Sequence, residues 1–193
     1  MDRFVALTRG INVGGRNALP MNEVVEVFEG LGSRNVSTYI QSENVVFHGS
    51  SSAIRLGEEI SAEIARRRGF APHVLILTRT EFERAIENNP FPHGDSDPKA
   101  VHLGFLDSVP PNPDLDGLEE LRVPSERFEL IGRVFYLLAP GGVGRSKLAA
   151  KSERLLGVSM TDRNWKTVCR IVSMLRDDDA ATGDHDREPN DSR

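Results

Sequence analysis

One cysteine, Cys169, one tryptophan, Trp165, and two tyrosines stand in a chain of 193 residues. A lone cysteine excludes an internal disulfide and a thiolate metal cluster, and it fits a reducing compartment. No apolar run reaches the roughly 18 residues needed to span a membrane, and no charged-then-apolar leader opens the chain. A cytoplasmic protein without membrane association is expected. The patterns G-x-S-x-G, H-E-x-x-H and C-x-x-C are all missing. His48, His73, His93, His102 and His185 are scattered, with no two at metal-ligand spacing. His93 with Asp95 reads as a turn. No metal and no cofactor is therefore expected, and no catalytic residue is assigned.

What charge there is sits unevenly. The formal net charge is −5. The stretch "DDDAATGDHDREPNDSR", from Asp177 to Arg193, has seven acids and two arginines, so it accounts for the whole excess. Acidic and poor in apolar residues, 177–193 reads as a disordered tail. The rest of the chain is neutral overall. Within it Val143 to Arg176 carries eight Lys or Arg against Glu153 and Asp162, a local basic surface.

The length fits one domain or two closely packed subdomains with a sizeable core. Phe4 to Leu7 reads as a buried strand. Pro20 opens a helix whose apolar face is Val24, Val25, Phe28 and Leu31, and Gly32 stops it. Val36 to Gln41 and Asn44 to His48 form a hairpin around Ser42-Glu43. Ser51 or Ser52 caps a helix that ends at Arg66-Arg67-Arg68, where positive charge suits the dipole. "PHVLILT" is a strand, and Glu81 to Glu87 a helix.

Strand, helix, hairpin, helix, strand is the split βαβ, or ferredoxin-like, order. That order then partly recurs. Val101 to Leu106 is a strand, Leu115 to Leu121 a short helix, and Arg127–Ile131 with Val134–Leu138 a hairpin around Gly132. Helices follow over Lys147 to Leu156 and Asp162 to Leu175. The fold expected is α+β: two packed ferredoxin-like subdomains, with a C-terminal helix in place of the last strand. The boundaries are 1–92 with the connector, 98–176, and the tail. The first strand and the second hairpin strand are expected to run parallel. The Arg9–Gly15 loop would then lie at one end with His48–Ser52, and Ser42-Glu43 at the other.

"FVALTRGINVGGRN", "YIQSENVVF", "NPFP", "GVGRSKL" and "TDRNWKTV" occur in order between residues 3 and 175. On these motifs the chain resembles the bacterial family called domain of unknown function 1697. The resemblance implies an α+β protein with ferredoxin-like subdomains, and it implies no activity. That family usually has glycine where Glu43 stands, so a left-handed backbone there would be strained.

Two glycine-rich stretches carry the candidate chemistry. "RGINVGG", Arg9 to Gly15, follows a strand and precedes a helix, so the amides of Gly14 and Gly15 can face an anion. Arg9 can add a bidentate contact and Asn12 an amide. The alternative is a tight turn with Arg9 paired to a carboxylate. The spacing of Gly10, Gly14 and Gly15 does not fit a dinucleotide fingerprint. "APGGVGRS", Ala139 to Ser146, misses the nucleotide-loop pattern twice, with Ala139 for glycine and Arg145 for lysine. It keeps the elements of an anion pocket in Arg145, Ser146 and Lys147.

In the last helix Trp165, Val168, Cys169 and Val172 form one stripe, so Trp165 reads as a core anchor and Cys169 as a buried hydrophobe. Arg163, Lys166 and Arg170 fall on the far side. Tyr39, Gln41, Ser42 and Asn44 read as hairpin residues bonded to backbone. The expected function is binding of a small phosphate- or carboxylate-bearing ligand by Arg9, Asn12, Gly14, Gly15, Arg145, Ser146 and Lys147. An enzyme on a small anionic substrate, or a nucleic-acid module using the basic helix, are the alternatives.

Overall fold

The computed structural model describes residues 2–12, 15–40, 43–50, 53–91 and 97–182. Gly14, Gln41 and Ser42 of the hairpin, Ser51 and Ser52, His93, Asp95 and residues 183–193 of the tail lie outside them.

The first half runs β1 (Asp2–Arg9), α1 (Met21–Gly30), β2 (Arg34–Tyr39), β3 (Asn44–Gly49), α2 (Ala53–Arg68) and β4 (His73–Thr78), followed by α3 (Arg79–Glu87). Its sheet has the order β2-β3-β1-β4 with every neighbouring pair antiparallel. The second half runs β5 (Val101–Leu106), α4 (Leu115–Leu121), β6 (Arg127–Ile131), β7 (Val134–Leu138), a 3-10 turn (Val143–Arg145), α5 (Lys147–Leu156), β8 (Met160–Asn164) and α6 (Trp165–Thr182). Its sheet repeats the pattern as β6-β7-β5-β8, again antiparallel throughout. Two ferredoxin-like subdomains are present.

Two expectations about the strands are corrected, and the last helix runs further than expected. A last strand exists: β8 completes the second sheet, and the C-terminal helix follows that strand instead of replacing it. The sequence "MTDRN" hides it, because Thr161 is its one buried residue. The helix also continues through 177–182, into the stretch read as tail. Finally, β1 and β3 are antiparallel, with Leu7 opposite Asn44. The helical crossover from β1 makes β2 parallel to it, and the hairpin then reverses the chain. The backbone N–H of Thr8 donates to Glu43 O at 2.8 Å, so the hairpin turn lies beside the end of β1. Among the described residues of that turn Ile40 is left-handed, with φ 51°, and Glu43 N–H donates to Ile40 O.

The core explains the continuous apolar strands. Phe4 and Ala6 of β1 face α1 and α2, while Val5 and Leu7 face the other half. A strand buried on both faces needs no polar alternation. In the second half Leu106, Phe135 and Leu137 pack under Leu118 of α4 with Leu148 and Leu156 of α5. Val101, Leu103 and Phe105 instead join Val5, Leu7, Phe82 of α3 and Ile171 of α6 in a shared central core. There the rings of Phe82 and Phe105 stack at 5.4 Å.

On α6 the buried face is Val168, Ile171, Met174 and Leu175. Trp165 packs against the central core but is only partly buried, and Cys169 is exposed, correcting its reading as a buried hydrophobe. The buried arc centres on Ile171, and at ~100° per residue Cys169, two positions earlier, falls on the opposite side of the helix. Asn164 is the cap, its Oδ1 accepting from Thr167 N–H at 2.9 Å.

Candidate functional site

Arg9 ends β1 on the face that meets the second half. Its Nη1 lies 2.9 and 2.8 Å from the two carboxylate oxygens of Glu153 and donates to Met160 O at 2.8 Å. Both side chains are 43% exposed. The carboxylate partner foreseen as the alternative reading is therefore present, on α5. Asn12 is also engaged. Its Nδ2 donates to Leu19 O at 3.0 Å and its Oδ1 accepts from Leu19 N–H at 2.9 Å. With φ 52° at Asn12 and Asn17 Nδ2 on Gly10 O, the loop is closed upon itself. Gly15 takes φ 74°, which favours glycine.

The other candidates stand at the opposite end of α5. Ser146 caps that helix, its Oγ accepting from Ala149 N–H at 3.0 Å. Arg145 and Lys147 are exposed and make no ion pair among the described residues. Glu153 is two turns further on, so a rise of 1.5 Å per residue separates Arg9 from Ser146 by about 10 Å along the axis. Arg9, through Glu153, and the Ser146 cap thus lie about two helical turns apart on α5. The basic stripe is also broken up. Arg163 belongs to β8 and turns inward, where Nε donates to Asn44 Oδ1 at 2.6 Å and Nη2 to Thr8 O and Glu43 O. Arg170 lies over the Tyr39 ring at 5.9 Å, which leaves Lys166 as the open cation. Asn44 Nδ2 donates to Tyr39 O, as expected of a hairpin residue.

A site that sequence reasoning missed lies between the halves. A cavity of about 280 Å³ is walled by Leu77, Phe105, Val134 and Tyr136, with Val109 and Ile131 at its mouth. Its polar residues are Glu81, Arg84, Asn88 and Arg133. Arg133 follows Gly132, the φ 58° residue of the β6–β7 hairpin, which aims it across the cleft at α3. Its Nη1 stands 3.8 Å from Glu81 Oε1, too long for a hydrogen bond, and its Nη2 is buried with no acceptor. Glu81 is held from the other side, where Oε2 accepts from Thr78 N–H and Oγ1 in a capping box. The floor offers no spare hydroxyl. Tyr136 O–H donates to Ala85 O at 2.7 Å, and burial pushes its pKa up to about 12.

A second cavity, of about 640 Å³, lies beyond Arg133 along β4. It contains Glu58, Ser61, His73 and Asp107. His73 Nε2 is 2.9 Å from Asp107 Oδ2, and its Nδ1 is 3.4 Å from Thr161 Oγ1. Two carboxylates against the shared Arg133 make this side unsuited to an anion. The smaller cavity has two arginines against one glutamate and suits one. Among the described residues no cluster of three or more His, Cys, Asp or Glu can hold a metal.

Residues 1–136 match the family model described as a protein of unknown function, DUF1697. The chain belongs to the DUF1697 family. Its structure is similar to that of SP0830, a conserved bacterial protein from Streptococcus pneumoniae, with 26% identity and a TM-score of 0.69. The match covers 90% of this chain and 98% of that one. Curated proteins give no match. The DUF1697 match takes in β1 to β6 and the first three residues of β7, and so includes every residue named above around the smaller cavity. No described helix is long and apolar enough to cross a membrane.

Proposed function

We propose that the protein is a cytoplasmic binding protein for a small anionic ligand, held between the two halves by Arg133 and Arg84. The supporting observation is the state of Arg133. A buried guanidinium N–H without an acceptor costs about 1–3 kcal/mol, and the nearest acid is beyond hydrogen-bond reach. Turning this side chain toward a carboxylate or phosphate oxygen breaks no hydrogen bond and gives the orphan donor a partner. Apolar walls around a few convergent polar groups are the usual form of a small-molecule site.

A second reading places the anion at the glycine-rich loop before α5, with Arg145 and Lys147 as its cations. It is favoured by their exposure without an acidic partner. Arg9 and Asn12 support it less, since each already has its partners.

The two are separated by thermal denaturation with acetate or inorganic phosphate added at up to 100 times the dissociation constant. Ligand at that excess stabilises by about 2.7 kcal/mol. Arg133→Gln should abolish the shift, and Arg145→Gln with Lys147→Gln should leave it. The reverse pattern would move the site to the loop. An equal loss with Arg9→Ala alone would restore the first glycine-rich stretch as the site.

A further inference from the structure

We infer, on the basis of the Arg133 pocket just described, that the ligand is a monocarboxylate with a compact apolar body. Charge limits the head group. Arg133 and Arg84 face the cavity together with Glu81, which leaves one net positive charge to be met by one negative charge. Glu81 cannot swing away cheaply, because its carboxylate is also the capping partner of Thr78. A phosphate dianion would bring a second negative charge and a third oxygen against that fixed acid, with only the neutral Asn88 amide beyond the two arginines to receive them.

Shape and polarity limit the body. Leu77, Phe105, Val134 and Tyr136 form the wall, and the Tyr136 hydroxyl is engaged with Ala85 O. A polar substituent there would lose its water without gaining a partner. The volume of about 280 Å³ accommodates roughly nine water-sized atoms at ~30 Å³ each. A small ring or a short branched chain fills it. Val109, 61% exposed, and Ile131, 37% exposed, extend the apolar surface to the mouth. The same wall residues therefore choose the body while Arg133 chooses the charge.

The test is titration of the full chain with acetate, butanoate, benzoate and phenyl phosphate, followed by NMR shifts. Affinity should rise about fourfold for each methylene buried, the equivalent of ~0.8 kcal/mol. Benzoate should bind at least about tenfold more tightly than acetate, and more tightly than phenyl phosphate. Ile131→Ala should weaken benzoate and leave acetate unchanged. Equal binding of acetate and benzoate, abolished together by Arg133→Gln, would overturn the ligand class and keep the pocket. Phenyl phosphate binding more tightly than benzoate would overturn the class as well. A benzoate preference untouched by Arg133→Gln, or no binding of any probe, would overturn the pocket itself.

Discussion

Arg163 on β8 donates through Nε to Asn44 Oδ1 on β3, across 2.6 Å. The bond joins the edge of one sheet to an inner strand of the other. Burial pushes the guanidinium pKa down, against the pull of Glu43 and Asp162 toward the charged form. The acceptors it reaches across the interface are neutral: one amide and the carbonyls of Thr8 and Glu43, at 2.7 and 2.9 Å.

Arg163→Met should therefore strip Asn44 Oδ1 of its donor and take one donor each from Thr8 O and Glu43 O, the latter still bonded to Thr8 N–H. An acceptor left unpaired costs about 1–3 kcal/mol, so urea denaturation should register a loss of at least ~1 kcal/mol. Lys166→Met, on the exposed side of α6, should change stability by less than about 0.5 kcal/mol. Equal effects would show that Arg163 is no more than a surface cation.

Trp165 packs against the central core while its Nε1 is buried without an acceptor. Truncation and repair therefore act in opposite directions. Trp165→Ala should cost about 3 kcal/mol through lost packing. Trp165→Phe keeps a ring and removes the orphan donor, so it should stay within about 1 kcal/mol of the parent. Paired thermal melts of the two variants measure the difference, and a Phe variant as damaged as the Ala variant would show that the indole N–H has a partner.

His102 supplies a pH dependence. Burial opposes its charged form, but the hydrogen bond to Asp162 at 2.7 Å, the charge of that carboxylate and the bond to Lys99 O outweigh it, so the pKa is raised above 6.5. The folded state then holds a proton that the unfolded state releases. The stabilisation is complete below pH 6.5 and falls as pH rises through the folded-state value. Stability measured across that window should decline, and Asp162→Asn should flatten the decline. A parent curve already flat there would mean that His102 is neutral in the fold.

Much of the fold was legible because local signals agreed with tertiary structure. Arg127–Ile131 alternates and Val134–Leu138 is a continuous apolar run, on either side of a glycine that the turn requires, and both strands form as read. Lys147 to Leu156 has its serine cap and its apolar stripe in register with the core. In β8 those signals part company. Its residues are polar because Asp162 serves His102 and Arg163 serves the other half, needs that no local pattern expresses. The same limit applies to the site. Arg9 and Glu153 are 144 positions apart, so the bond that occupies Arg9 leaves no trace in "RGINVGG". Arg133 follows a hairpin glycine like any other turn residue. Only the packing of α3 against the second sheet gives it a pocket.

The shared central core also sets an order of events during synthesis. Val5, Leu7, Leu75 and Leu77 lie on a face of the first sheet that is covered by α3, the second sheet and α6. Arg3 of the first strand even donates to Leu175 O, in the second half of the last helix. A ribosome delivers the first sheet well before its cover exists. For that interval the nascent chain presents a bare apolar surface, the kind that chaperones bind and that drives premature association. Release of the final helix from the exit tunnel closes it.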